Sequence, residues 1–409
     1  MKFFYWLFCI FLIIRYMIFY NNYGYAFLKH DGLFFPNTLF FQHKINSSDR
    51  SLLKLLWTNQ IGCGACDYYL NSNPVVQDDG AYIFIADRHG VVKKLNIESG
   101  VCIWSKKLFD LYFNYWLVSR HGGLISTDIA VDKRHCYVGS ESSKVYALDI
   151  NTGNICWIAR VSGEVISTPV VSQGFVIVYT NNGVLHALDA RNGIIKWKVD
   201  LDIPSGLSFL VTLLPVVSSD IVVIGDTTGV VSACEITSGQ LIWQRKISNV
   251  KKGITDIDRL SDIVAPIVMN GVVYAVAYNG NIVALDIVSG DLIWSRDIGS
   301  LVNIIMENGV IYLVDQYSCI LAIDSSNGNV IWKKKFGVSC QLNSIVSYKD
   351  HILFGDQHGY VYWLFKKDGS LFRREKVGMS IFSTPIIVFD KLVVYEKNGK
   401  VSVFKFNKF

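Results

Sequence analysis

Short apolar runs alternate with polar turns along this chain from about residue 50 to its end. The clearest copy of the pattern is Tyr278-Asn-Gly-Asn-Ile-Val-Ala-Leu-Asp-Ile-Val-Ser-Gly-Asp-Leu-Ile-Trp294. The run Asn281 to Leu285 is short, apolar-rich and bounded by turn residues, the signature of a β-strand. Asn279-Gly280 and Ser289-Gly290 supply backbone that tolerates positive φ, as tight hairpins require. Gly290 and Trp294 define a Gly-x-x-x-Trp spacing that returns at Gly100/Trp104, Gly153/Trp157, Gly193/Trp197, Gly239/Trp243 and Gly328/Trp332. Gly369/Phe372 reads as a looser copy, one residue shorter and with Phe for Trp. Successive Trp residues are roughly 40–50 positions apart, the period of a four-stranded propeller blade. One hairpin cannot bury a Trp alone. Stacked on the next copy, the ring hides about 150–250 Å², worth at most roughly 4–6 kcal/mol. The Trp residues are therefore expected to be inter-blade core rather than platforms for a ligand.

A second landmark runs beside the first. Short strands open on Pro or a polar residue at Pro74, Pro169, Pro215, Pro266 and Pro385, with less regular copies near Thr127, Asn303 and Asn343. Pro fits only the first residue of such strands, and these are read as the innermost strands. They number eight, but the set that starts at Pro385 ends after its third strand. The missing outer strand is supplied by Leu52-Leu53-Lys54-Leu55-Leu56-Trp57 at the other end. The expectation is an all-β, eight-bladed β-propeller over residues 51–409, its last blade built from 383–406 plus 51–60. Such closure removes free sheet edges.

Residues 3–20 are apolar except for Arg15, with Lys2 in front. Phe3 to Ile14 matches a signal-peptide core, and Gly24 and Ala26 have the spacing of a cleavage site. Residues 1–26 are read as a signal peptide or an uncleaved signal anchor, and 27–50 as a linker, so the propeller is expected outside the cytoplasm. The net charge of +5 is spread without a long basic stretch, which gives no ground for nucleic-acid binding. Of nine Cys, only Cys63-Gly64-Ala65-Cys66 forms a close pair, compatible with a redox pair, half a metal site or two unrelated thiols. Cys102, Cys136, Cys156, Cys234 and Cys319 fall on or beside strands, where free Cys behaves as a small buried hydrophobe.

Two blade connections read as longer than the rest, Asp202–Leu214 and Asn249–Ala265. Both run from an outer strand to the next innermost strand, so both emerge on one end face of the disc. The first is apolar and the second acidic with one Arg, like an interface core beside its polar rim. No catalytic constellation accompanies them. The eight His are scattered, and no nucleophile elbow, phosphate loop or dinucleotide fingerprint occurs. Asp149, Asp189, Asp286 and Asp324 recur just before a Gly turn, as structural Asx hydrogen bonding would place them.

The string Ala-Leu-Asp-x-x-x-Gly-x-x-x-Trp resembles the pyrroloquinoline-quinone enzyme-type propeller repeat. In quinoprotein dehydrogenases of that fold the quinone lies beside calcium and a vicinal Cys-Cys disulfide, and this chain has no adjacent Cys pair. A periplasmic quinone-dependent dehydrogenase is thus the alternative and not the expectation. Thr255-Asp256-Ile257-Asp258-Arg259-Leu260-Ser261-Asp262 and the run from Asn270 to Asn281 are similar to stretches of the BamB family, the propeller subunit of the outer-membrane β-barrel assembly machinery. Asp87-Arg88-His89-Gly90, Gly139-Ser140-Glu141, Ile311 to Gln316 and Gly359 to Trp363 extend the similarity over roughly residues 50–405. The resemblance implies a non-catalytic scaffold on the periplasmic side of the outer membrane. No cofactor is implied. The implied partners are the periplasmic domains of the central barrel subunit and nascent outer-membrane proteins. It also implies partner-binding roles for Leu207, Phe209, Leu210, Arg259 and Asp262. The family's Leu-Ser-Leu-Arg is here Leu207-Ser208-Phe209-Leu210, so its Arg is lost, and Val264 stands near the place of its second loop Asp. The family's acylated Cys has no counterpart: Cys9 comes too early and the next Cys is Cys63.

Overall fold

The computed structural model describes residues 51–62, 64, 73–77, 79–108, 124–125, 127–201, 213–248, 261–336, 342–381 and 383–407. The leader, the linker and the Cys63/Cys66 pair lie outside them. Eight four-stranded antiparallel sheets follow one another, and the described residues contain no helix. Blade two shows the plan: Ile129–Val131, His135–Ser140, Lys144–Asp149 and Ile155–Arg160, paired in that order. The innermost strands are only two or three residues long. The second and third strands are mostly apolar and mostly buried, as in Val184–Asp189, because blades pack on both their faces.

In four blades the third-to-fourth turn is set by the recurring Asp, and in blade one by Asn96. The Asp149 carboxylate accepts the N–H groups of Asn151 and Thr152 at 3.0 and 2.8 Å, and Asp286 does the same for Val288 and Ser289. The Gly that follows takes positive φ, 71° at Gly153 and 73° at Gly290. That Gly receives the Trp of the preceding blade. A Cβ on Gly153 would lie 2.6 Å from the Trp104 ring, and the Trp104 Nε1–H donates to the Ile150 carbonyl at 3.0 Å. The same contact recurs for Trp157 on Gly193, Trp197 on Gly239, Trp243 on Gly290, Trp294 on Gly328 and Trp332 on Gly369, each Nε1–H donating to a backbone carbonyl of that next blade. The two residues of one Gly-x-x-x-Trp phrase therefore do not touch each other. Gly is the socket for the blade before, and Trp is the plug for the blade after.

The N-terminal strand closes the ring as the pattern implied. Leu53–Gln60 pairs antiparallel with Lys400–Phe406, and Trp57 seats on Gly100 while donating to the Ile97 carbonyl at 2.8 Å. The junction of blades seven and eight departs from expectation. Strand register places Arg373, not Phe372, where other blades carry Trp: Trp363 pairs with Arg373 as Ala147 pairs with Trp157. Phe372 is 39% exposed. The aromatic bulk has moved across the pair to Trp363, which is fully buried, and a second aromatic beside Gly369 misled the spacing argument. In place of a Trp plug stands Glu375. It accepts the Leu52 N–H at 2.6 Å, the Leu53 N–H at 3.2 Å and the Ser51 hydroxyl at 3.0 Å, and pairs with Arg373 at 2.8 Å. Tyr348 stacks on Phe406 across the same junction, with centroids 4.2 Å apart. Cys136, Cys234 and Cys319 are buried, and burial pushes the Cys234 thiol up to about 11. Cys102 and Cys156, on outer strands, are exposed instead.

Deleting residues 51–60 should lower the cooperative unfolding midpoint of the whole ring, because blade eight loses its outer strand and blade one its plug. Glu375→Ala leaves two strand-end N–H groups without their acceptor and should cost about 1–3 kcal/mol in urea unfolding. Trp243→Ala, which empties a socket, should cost about 3–5 kcal/mol. A deletion variant as stable as the parent would refute the closure.

Candidate docking face

Every connection from an outer strand to the next inner strand leaves the disc on the same face as the second-to-third-strand turns. The sequence singled out 202–214 and 249–265 as the long ones, but the strand bounds show 108–128, between blades one and two, to be longer. Its run of apolar and aromatic residues holds no Gly or Pro until Gly122, so nothing in it announced a loop. Leu207, Phe209, Leu210 and Arg259 lie outside the described residues. Asp262 is described and is fully buried. Its carbonyl accepts the Tyr278 N–H at 2.8 Å, and Ile263 beside it enters the core between blades four and five and donates its N–H to the Asp226 carbonyl at 2.9 Å. Asp262 therefore stands at the foot of the second connection, where it fixes the point of emergence. Sequence alone could not separate a foot residue from a rim residue in an acidic string.

Leu213 plays the same part for the first connection: it is buried, and its carbonyl accepts the Thr168 N–H at 3.0 Å. The connection between blades one and two is anchored by Leu124, whose carbonyl accepts the Glu141 N–H, and by Ile125, which donates to the Arg88 carbonyl, both at 2.9 Å. Arg88 and Glu141 also pair at 3.0 Å across the two blades. Burial raises the Glu141 carboxyl above its ordinary range, and Arg88 works against that rise. The sequence held both residues without any signal that they meet.

A row of buried acids lines the turns of this face. Asp87, Asp226, Asp315 and Asp356 each accept N–H groups of their own turn, such as Val91 on Asp87 at 2.7 Å and Thr228 on Asp226 at 2.7 Å. They shape turns and belong to different blades. Among the described residues no group of three or more His, Cys, Asp or Glu is placed to hold a metal ion. Nearer the axis, polar side chains link blades: Thr384 N–H donates to Asn73 Oδ1 at 2.8 Å, Asn73 donates through its N–H and side chain to Asp128, and the Asp128 N–H donates to Thr168 Oγ1 at 3.3 Å. Burial pushes the Asp128 carboxyl up to about 7, against the two hydrogen bonds from Asn73.

Eight four-stranded blades of this repeat, closed by the N-terminal strand, define an eight-bladed propeller of the pyrroloquinoline-quinone-like class. A family model described as outer membrane protein assembly factor BamB matches residues 88–334. A protein of that name from Yersinia pestis is 40% identical over 351 residues, covering 85% of this chain and 88% of the relative. Its Escherichia coli K12 namesake is 40% identical over 347 residues, covering 84% and 87%. The chain belongs to the BamB family. The crystal structure of BamB from Moraxella catarrhalis superposes with a TM-score of 0.72 at 21% identity, covering 87% of this chain and all of that one. A europium-containing methanol dehydrogenase superposes at 0.67 and 12% identity, covering 86% and 93%, which shows shared fold alone.

A carboxyl whose folded pKa is raised binds its proton more tightly folded than unfolded. Its contribution is therefore full below the unfolded value near 4 and is lost as pH rises through about 7. Asp128→Asn should match the parent in urea unfolding at pH 4.5 and be the more stable of the two at pH 8. A parent-to-variant difference that stays constant between those pH values would exclude Asp128 as the titrating group.

Proposed function

We propose that this chain is a non-catalytic scaffold of outer-membrane protein assembly, held at the periplasmic face of the outer membrane, that docks on the periplasmic domains of the central β-barrel subunit of the assembly complex. The observation that carries the proposal is the 40% identity with relatives named outer membrane protein assembly factors, over 85% of the chain. The geometry supplies a rationale. A rigid ring holds Leu213 and Asp262 as buried feet, so the connections that rise from them, 202–212 and 249–260, start from fixed neighbouring points on one face. Leu207, Phe209, Leu210 and Arg259 lie in those connections and are the proposed contacts, with Phe209 as the apolar centre, since binding energy concentrates in few large residues. Asp262 supports the contact from below. Residues 1–26 act as the export signal or anchor and 27–50 as the tether of a propeller that starts at residue 51. Nascent outer-membrane proteins are a further partner in this scheme.

Among the described residues Asp87, Asp226, Asp315 and Asp356 accept N–H groups of their own turns, a structural use that supports the scaffold over a quinone-dependent dehydrogenase. Affinity capture from solubilised membranes should retrieve a large outer-membrane barrel protein with the parent chain, and Phe209→Glu should reduce that capture at least tenfold with the unfolding midpoint unchanged. Equal capture by both would overturn the docking face. Retention of quinone and calcium by the purified chain would overturn the scaffold itself.

A further inference from the structure

The outer rim of blades six and seven differs from the rest of the ring. The fourth strands end in basic residues in most blades, but Val330–Lys335 reads VIWKKK and Leu371–Lys376 reads LFRREK. In blades three and four such residues are paired: Lys196 meets Asp189 at 3.3 Å, and Arg245 meets Asp291 at 3.9 Å. Lys334, Lys335, Lys367, Arg374 and Lys376 are exposed and enter no ion pair among the described residues. Nearby acids are already engaged. Asp315 takes Lys333 at 3.0 Å, Glu307 takes Lys366 at 2.7 Å, Glu375 holds Arg373 and the N-terminal strand, and Asp368 caps its own turn through Ser370. The two strands form one surface, since Lys334 lies against Gly369 of the next blade beside the Trp332 ring.

Blade seven also breaks the repeat in a directed way. Where four other blades carry the turn Asp, it carries Phe365, and where four carry Ile directly before Trp, it carries Phe372 before Arg373. The two rings meet edge to face, 5.2 Å apart, over His351, and remain 37% and 39% exposed. Ile331 and Leu371, 53% and 42% exposed, extend the apolar strip along the blade junction. Lys334 and Lys367 share Asp368, and Arg374 lies 3.6 Å over the Tyr360 ring, yet the cations outnumber the acids around them. An aromatic and aliphatic strip in that setting fits an interface that is itself anionic outside and apolar beneath.

We propose that the rim of blades six and seven is a membrane-contact surface, with Lys334, Lys335, Lys367, Arg374 and Lys376 on anionic phospholipid headgroups and Phe365 and Phe372 at the acyl boundary. It is a surface separate from the connections on the end face, and it stands or falls apart from the scaffold reading. Each Lys or Arg near an anionic leaflet raises affinity roughly fivefold, so three together contribute on the order of 100-fold. The test is amide hydrogen exchange on the full chain, read at the rim strands so that insertion of the apolar leader does not enter. Vesicles containing phosphatidylglycerol should slow exchange over 330–335 and 365–376, and vesicles of phosphatidylcholine alone should not. The protection should vanish at 0.5 M salt and in the triple variant Lys334→Glu/Lys335→Glu/Arg374→Glu. It should persist in Lys198→Glu/Lys246→Glu, which alters charge on blades three and four. Unchanged exchange with phosphatidylglycerol, equal protection by both vesicles, or protection that survives the triple variant would overturn the proposal. So would rim protection brought about by a soluble acidic polypeptide and by neither vesicle, which would make the surface a protein site.

Discussion

The fit of a Trp ring onto a glycine of the next blade is the contact on which the remainder depends. It demands two things at once from the glycine: a left-handed backbone and no side chain, since a Cβ would fall within 2.6 Å of the ring at most of these sockets. The indole N–H is then satisfied by a backbone carbonyl just before that glycine, so a bulky polar-tipped residue is buried without an orphaned donor. Blade and blade are joined by apolar area and by a directed bond in one motif. A blade on its own would leave plug and socket both open to water.

One junction in eight does without this contact, and there the substitution is coherent rather than defective. Trp363 and Arg373 exchange the positions of bulk and small or polar partner, and the half-buried Arg373 pairs with Glu375. The carboxylate in turn fastens Leu52 and Leu53 at the start of the N-terminal strand. The junction of blades seven and eight thus adds hydrogen bonds and an ion pair to its aromatic packing, in place of the Trp-on-Gly contact of the other joints.

The architecture was legible because its determinants are local and repeated. Gly, Trp and the turn Asp each carry a local requirement that can be recognised without a partner, and the count of innermost strands, five of them led by Pro, gave eight blades. The closing strand was legible because the last repeat lacked an element that the first residues supplied. What escaped were facts about pairing. Phe372 looked like a plug because spacing says nothing of register, the 108–128 connection was passed over because it is apolar and lacks Gly or Pro until Gly122, and the acidic string around Asp262 gave no sign that this residue is buried. Arg88 and Glu141 lie far apart in the sequence and meet only because blades one and two are neighbours. Leu207, Phe209, Leu210 and Arg259 rest on resemblance, since local chemistry does not distinguish a binding loop from a long linker.

The pairing of Leu53–Gln60 with Lys400–Phe406 joins the two ends of the folded chain. It is the most non-local contact in the ring, and the entropy of closing so long a loop is recovered only after the seven intervening blades have shortened it. A chain made from its N-terminus therefore exposes Leu53–Gln60 first and completes it last. Through that interval an apolar strand with unpaired backbone travels ahead of its only partner. Closure of this ring waits on the arrival of Lys400–Phe406, and removing that strand would leave Leu53–Gln60 without its partner in the sheet.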